Sequence, residues 1–170
     1  MKKLFKVALV AVSILFMGNF AKAQTKIGYI NMNDLIGAMP QVKTVQTQMQ
    51  TYQKQFVDNI TSQQTTFQKE VNDYNAKKAS MSDANRIAKE AELGDMQKRI
   101  QDYQTTAQQQ VEAKSAEYMK PLYDQANTAI SAVAKEKGFT YVLDSSTTNL
   151  VVKPEADDLM AAVKLKMGLK

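Results

Sequence analysis

The sequence has no cysteine, no histidine and no tryptophan, and only three prolines and six glycines among 170 residues. Without histidine or cysteine, most nucleophilic triads, HExxH metal sites and His-ligated zinc or iron sites are excluded. Carboxylates alone can hydrolyse glycosides, but those enzymes need an aromatic-rich cleft, and this chain offers no elements to build one. No GxGxxG, P-loop or GxSxG sequence occurs. These absences predict that the protein is not an enzyme and that it binds no cofactor.

The N-terminal segment has the organisation of a secretory signal peptide. Three lysines in the first six residues form a positive region, residues 7–17 form an apolar run, and residues 21–23 give a small-x-small cleavage site. A run of about 11 residues is too short for a spanning helix, which needs about 20. We predict cleavage between Ala23 and Gln24, which leaves no membrane span. An uncleaved N-terminal anchor is the alternative.

Removing the signal segment changes the charge of the protein. The full chain has 22 basic and 17 acidic residues, and four of the lysines lie in the signal, which leaves 18 basic residues and a net charge of +1. Nucleic-acid binding needs a clustered basic face on the mature protein. We therefore expect no nucleic-acid partner. Because an exported chain without cysteine has no disulfides, packing or assembly must stabilise it.

The mature chain is expected to divide into a body, residues 24–41 and 121–170, and a long antiparallel helical hairpin over residues 42–120. Apolar residues of the hairpin recur at steps of three and four on either side of a polar turn at residues 77–85. This spacing is typical of helices that pack near the coiled-coil period. Glutamine, threonine, lysine, aspartate and asparagine fill the remaining positions, so each helix has one narrow apolar stripe and wet outer faces.

Local signals predict how the second helix of the hairpin starts and where it is interrupted. Either Ser80 or Ser82 can cap its first turn, and its apolar stripe is expected to begin at Ile87. Pro121 cannot donate a backbone hydrogen bond, so a kink or a restarted helix is predicted there. Gly94 marks a softer point. Both positions are either packing adjustments or functional hinges.

Short apolar runs in the body predict a small β-sheet. We expect strands at residues 26–31, 139–144 and 149–152, and a last amphipathic helix at residues 157–167. A body of about 65 residues supplies a core worth only a few kcal/mol. Its strands also leave open sheet edges, so we predict that several chains share one β-core. The residues expected in that core are Ile27, Tyr29, Ile30, Tyr141, Val142, Leu143 and Val151.

The ordered stretches KIGYINMNDLIGAMPQVKTVQTQM, AISAVAKEKGFTYVLDSS, NLVV and DDLMAAV resemble the Skp-like periplasmic chaperones, the OmpH family, across the whole mature chain. The resemblance implies a mainly α fold with a small β body that completes a shared β-core in a homotrimer. It implies an ATP-independent holdase that binds unfolded outer-membrane proteins between helical arms in the periplasm, with the outer-membrane insertion machinery as a further partner. A structural coiled-coil scaffold or spacer of the cell envelope is the alternative.

One small basic patch lies at the predicted tip of the hairpin. Members of the resembled family are strongly basic, whereas this mature chain is near neutral. Acidic residues surround the patch, which favours a solvated face of mixed charge over an electrostatic capture site. Among the methionines, the one at the tip is expected to contact the unfolded protein that is bound. The patch with this methionine consists of Lys77, Lys78, Met81, Arg86 and Lys89.

Overall fold

The computed structural model of the protein describes residues 25–169 and is mainly helical, as predicted, with one two-stranded sheet. The predicted signal segment and its cleavage site between Ala23 and Gln24 lie outside these residues. The elements in chain order are β1 (Ile27–Ile30), α1 (Met32–Gly37), α2 (Gln41–Lys77), α3 (Asp83–Lys137), β2 (Tyr141–Asp144) and α4 (Met160–Met167), with 3-10 turns at Lys78–Ser80 and Glu155–Asp157.

The described chain forms two compact units. The first contains the residues up to Met32 together with Ala129–Gly168, and so holds both strands and α4. The second is Asn33–Thr128, which holds α2 and most of α3. Each unit has its own way of packing.

In the first unit, β1 and β2 pair in parallel. Ile27 pairs with Tyr141, and Tyr29 pairs with Leu143. Paired residues point to the same side of a sheet, and alternate residues of a strand do so too. These four side chains therefore share one face of the sheet.

Gly28 allows two large side chains to pack against β1 on the opposite face. A Cβ atom at this position would overlap Leu159 Cδ1 and would lie 3.0 Å from Phe139 Cδ1. Both side chains are buried, and Leu159 is completely buried. Leu159 is also held by its backbone N–H, which donates to the Tyr29 carbonyl at 3.0 Å. Since protein interiors are close-packed, only glycine fits here without displacing the core.

Asp144 links the end of β2 to the start of α1. Its Oδ1 atom accepts hydrogen bonds from the Met32 N–H at 3.1 Å, the Ser146 N–H at 2.8 Å and the Ser146 hydroxyl at 2.7 Å. The first bond satisfies an N–H group at the helix start that has no partner within the helix. Burial by itself would raise the pKa of Asp144, but these hydrogen bonds outweigh it and hold the pKa below its ordinary value.

The turn between α3 and β2 is closed by a glycine. Gly138 has a φ of +72°, a conformation that favours glycine. The Phe139 N–H donates to the Ala134 carbonyl at 2.9 Å, and the Gly138 N–H donates to the Lys135 carbonyl at 3.3 Å. This is the hydrogen-bond pattern of a Schellman motif. It ends α3 and directs the chain into β2.

The third predicted strand, at residues 149–152, is wrong. Within residues 25–169 this segment contains no strand, and Val151 is 91% exposed. An apolar run forms a strand only where a neighbouring strand supplies hydrogen bonds, and the sheet of this chain ends at β2. The last helix starts at Met160 rather than at residue 157, because the preceding residues form a separate 3-10 turn.

In the second unit, α2 and α3 form the predicted antiparallel hairpin. The Phe56 and Tyr103 rings lie 6.2 Å apart between the two helices. Of the two predicted caps, Ser82 starts α3, because its Oγ accepts the Asn85 N–H at 3.4 Å. The Ser80 hydroxyl instead donates to the Lys77 carbonyl at 2.8 Å.

The long helix α3 is continuous where an interruption was expected. It runs as one element from Asp83 to Lys137 and contains both Gly94 and Pro121. A restarted helix at Pro121 is therefore wrong, whereas a kink and a hinge function at either residue stay predictions. Pro121 lies on the exposed side of the helix. Water can reach the carbonyl that loses its partner there, which lowers the cost of proline inside a helix.

Candidate functional site

The first candidate site is the sheet face that carries Ile27, Tyr29, Tyr141 and Leu143. Ile27 is 49% exposed, Tyr141 is 61% exposed and Leu143 is 38% exposed, while Tyr29 is half-buried. Among residues 25–169, β2 has a hydrogen-bonded strand only on the side of β1, so its other edge is open. An apolar face beside an open edge is typical of a surface that another polypeptide covers.

The structure separates the residues predicted for a shared β-core into three groups. Four of them form the exposed face just described. Ile30 points to the other side of the sheet and is buried within this chain, and Val142 lies half-buried on that same side. Val151 belongs to an irregular segment. Sequence reasoning missed two exposed apolar residues, Val152 and Leu165, which are 77% and 82% exposed. The sequence signal for each was an apolar residue that belongs to no helix stripe.

Over residues 25–169, no group of three or more acidic residues is placed to hold a metal ion, and no polar or charged residue is buried. None of the helices in this part of the chain is both long enough and apolar enough to cross a membrane.

The second candidate site is the hairpin, whose helix–helix interface is narrow. The buried residue of α2 is Met49, and α3 contributes Ile100 and Ala107 to the interface. Most other facing positions, including Phe56 and Tyr103, are half-buried. The outer faces carry exposed glutamine and threonine. The hairpin therefore combines a thin apolar seam with long polar sides, which also carry ion pairs such as Lys54–Asp58 and Lys114–Glu117.

A shallow groove opens along this seam. Its apolar wall is formed by Met49, Val111, Met119 and Tyr123, with small and polar residues between them. Tyr123 is 37% exposed. Methionine side chains are flexible and polarisable, so they adapt to partners of varied shape. The groove can thus accept apolar side chains without selecting one shape.

Acidic neighbours pair with two cations of the predicted basic patch. Arg86 lies 2.8 Å from the Asp83 carboxylate. Lys89 lies 2.7 Å from Glu70 and 3.0 Å from Glu92. These hydrogen bonds raise the pKa of Lys89, and the bond from Lys89 lowers the pKa of Glu70. Two of the four positive charges are thereby balanced within the hairpin.

The remaining members of the patch differ in exposure. Lys77 and Lys78 are exposed, and within residues 25–169 neither is in an ion pair. Met81 is half-buried rather than fully exposed. Ile87, expected to begin the inward stripe of α3, is 65% exposed, so that expectation is wrong. Lys89 occupies the inward position because Glu70 faces it from α2.

Comparison with known proteins connects these surfaces to a family. Residues 26–167 match the family described as outer membrane protein (OmpH-like). The chain belongs to the OmpH-like family. It is 26% identical to the chaperone protein Skp of Vibrio cholerae serotype O1, over 96% of this chain and all of that protein.

A solved structure supports the fold of this OmpH-like chain. It is that of an OmpH-like protein of Caulobacter crescentus CB15, described as an outer membrane chaperone. The two share 21% identity with a TM-score of 0.65, over 82% of this chain and 81% of that one. The predicted family and fold class are thus confirmed. The family is one of chaperones rather than enzymes, so its function depends on surfaces that bind polypeptides.

Proposed function

We propose that this OmpH-like protein is an ATP-independent holdase that binds unfolded outer-membrane proteins, its clients, and prevents their aggregation. The observation that carries the proposal is the family match across residues 26–167, which includes both the sheet and the hairpin. The sequence has no P-loop, so client binding and release need no nucleotide hydrolysis.

The hairpin is the proposed client-binding element. Its shallow groove offers Val111, Met119 and Tyr123 to apolar side chains, and its long glutamine-rich sides offer weak polar contacts. Many shallow contacts hold a client without fixing its conformation, unlike the few dominant residues of a rigid interface. A client held in this way stays unfolded and can be released without an energy source.

The exposed sheet face is the proposed assembly element. We propose that Ile27, Tyr29, Tyr141 and Leu143 of three chains form a shared β-core, with the open edge of β2 paired by a neighbouring chain. Burial of each large apolar side chain contributes about 1.5–3 kcal/mol. A closed ring also removes the open edge, which would otherwise be a site of aggregation. Assembly through the sheet leaves the hairpin surfaces for clients.

Export is part of the same proposal. Cleavage between Ala23 and Gln24 would release the mature chain into the periplasm, where clients travel toward the outer-membrane insertion machinery. The intact mass of the protein isolated from the cell envelope tests this step. A chain beginning at Gln24 is expected, with or without cyclisation to pyroglutamate. A mass that includes residues 1–23 would favour the uncleaved anchor.

The decisive test measures client solubility. An outer-membrane β-barrel protein is diluted from urea into buffer with the mature protein, without ATP, and turbidity is followed. We expect the client to stay soluble near one trimer per client. The matched control replaces residues 66–93 with a short glycine-containing turn, which cuts both helices at one level because Gln63 and Met96 border the same groove. This variant should protect poorly. Aggregation equal to that in buffer with the full-length hairpin would favour the scaffold function.

A further inference from the structure

The hairpin is held together differently along its length. Met49 on α2 and Ile100 on α3 are buried, but from residue 50 to residue 99 the structure places no buried residue on either helix. We define the distal segment as residues 64–95, the part that includes the turn. In this segment the apolar seam is at most half covered, so apolar burial contributes less there than near Ile100.

A charged residue takes an inward position in the distal segment. The side chain of Lys89 is only 22% exposed, and the side chain of Glu70, which faces it from α2, is 33% exposed. The Nζ and Oε2 atoms lie 2.7 Å apart. A helix stripe of this period would normally place an apolar residue at such a position. Here an ion pair between the helices replaces an apolar contact.

A second polar contact lies four residues farther along α2. The Tyr74 hydroxyl donates to the carboxylate of Glu90 on α3. Over residues 25–169, the side-chain hydrogen bonds between α2 and α3 are this one and the Lys89–Glu70 bond, and both lie in the distal segment. We call these four residues the clasp. Near its end, α3 also accepts side-chain hydrogen bonds from outside the hairpin, from Lys166 to Glu136 and from Lys26 to the Lys137 carbonyl.

These contacts are weak compared with a packed core. Ion pairs that remain partly exposed contribute little to stability, and salt screens them. A helix of about 14 residues is marginal in water without packing along one face. The segments with few buried contacts are those that open at the lowest free energy in native proteins. The distal segment meets this description, whereas the seam around Ile100 and Ala107 does not.

We propose that the distal segment opens locally at the clasp while the rest of the hairpin stays closed. Opening separates α2 from α3 beyond Met96 and uncovers half-buried apolar side chains. The closed hairpin thus stores an apolar surface that it presents only when the clasp opens. This inference concerns the hairpin itself and holds whatever the protein binds. The side chains uncovered are Phe67, Val71 and Leu93.

The natural absence of cysteine makes the opening measurable with a single engineered thiol. Leu93→Cys places the thiol in the half-buried distal seam, and Ala107→Cys places it in the buried seam. A dipyridyl disulfide, which exchanges with thiolates and does not react with lysine amines, is applied to the full mature chain at about pH 9, above the ordinary thiol pKa of about 8.5. Because most of such a thiol is already ionised at this pH, a nearby charge that lowers its pKa can raise the rate by less than about twofold. When the clasp residues are unchanged, we expect the thiol at position 93 to react at least tenfold faster than the thiol at position 107.

Changes at the clasp test its role. Glu70→Lys places two cations against each other and should accelerate labelling at position 93 by about fivefold, the factor that corresponds to 1 kcal/mol. Asp58→Lys makes the same charge change on the same helix. Asp58 pairs with Lys54 of its own helix, so this change should alter the labelling rate at position 93 less than twofold. Glu70→Leu with Lys89→Leu should slow labelling, because apolar burial replaces the ion pair.

Each outcome supports or overturns local opening at the clasp. Selective acceleration by Glu70→Lys, together with slowing by the double leucine variant, supports local opening. Equal effects of Glu70→Lys and Asp58→Lys would show that the clasp does not control exposure and would overturn the inference. Parallel acceleration at position 107 would also overturn it, because the whole hairpin would then open as one unit. None of these rates depends on a client, so failure of the proposed holdase function leaves the test intact.

Discussion

The sheet of the first unit and the hairpin of the second unit bury side chains to different degrees. In the first, Ile30, Leu159 and Val163 are almost completely buried around a sheet of two short strands. In the second, helices of 37 and 55 residues contact each other along a seam that is mostly half-buried. A close-packed core resists any change in volume, whereas a thin seam tolerates change. The comparison teaches that a small unit can pack its side chains closely while a long one remains adaptable.

The difference in packing is tested most strongly at Gly28. Replacing it with alanine forces a methyl group into Leu159 and Phe139, and overpacking of this kind costs about 1–3 kcal/mol. Urea unfolding of the mature protein should show this loss. Gly37→Ala is the matched control, because nothing lies within 4 Å of its added Cβ. That variant should be unchanged or more stable by up to about 1 kcal/mol. Equal stability of the two variants would contradict close packing at β1.

The contribution of Asp144 to the stability of the first unit depends on pH. Asp144→Ala removes the acceptor of three hydrogen bonds and should lower the free energy of unfolding by about 1–2 kcal/mol at neutral pH. The pKa of Asp144 is lowered in the folded state, so the stability it contributes is fully present above its ordinary pKa of 3.8. This contribution is lost as the pH falls through the lowered value.

The stability difference between the unmodified protein and Asp144→Ala should therefore be constant from pH 7 to about pH 5 and shrink below pH 4. Unfolding curves at several pH values measure it. Asp58→Ala serves as the control, since its exposed ion pair with Lys54 should contribute less than about 1 kcal/mol. A difference that grows in acid would show that the hydrogen bonds do not lower the pKa.

The smallest effect is expected at the tip of the hairpin. Arg86 and Lys89 are paired with acidic neighbours, so Lys77 and Lys78 carry the unbalanced charge. Replacing both with glutamine should leave most holdase activity. Raising salt to about physiological strength, where screening acts beyond roughly 8 Å, should change client affinity less than tenfold. That limit corresponds to about 1.4 kcal/mol. A larger loss in either experiment would identify the tip as an electrostatic capture site.

Periodicity predicted the long helices well because their apolar stripe depends only on local spacing. The first residue of α3 could not be predicted from spacing alone. Ser80 and Ser82 are chemically equivalent as caps, and the tertiary structure selects Ser82. The predicted stripe is wrong at Ile87, because Lys89 takes the inward position and forms an ion pair with α2. The pattern of a single helix does not reveal such a pair.

The sheet shows the same limit of sequence reasoning. Its two strands were predicted from short apolar runs, but their parallel register decides which side chains share a face. Ile27 and Leu143 lie on the exposed face, whereas Ile30 is buried on the other. The run at residues 149–152 has strand-like composition but no partner strand among residues 25–169. Pairing is a property of the whole fold, so composition alone could not supply it.

The central claim is that the sheet face assembles the protein while the hairpin does not, and the molar mass in solution tests it most directly. Light scattering should give a trimer for the mature protein and for the variant in which residues 66–93 are replaced. Val57→Asp, an exposed position on the hairpin, should also remain trimeric. Leu143→Asp should give monomers, because a carboxylate buried without a partner costs several kcal/mol. A trimeric Leu143→Asp variant, or dissociation on shortening the hairpin, would contradict the account.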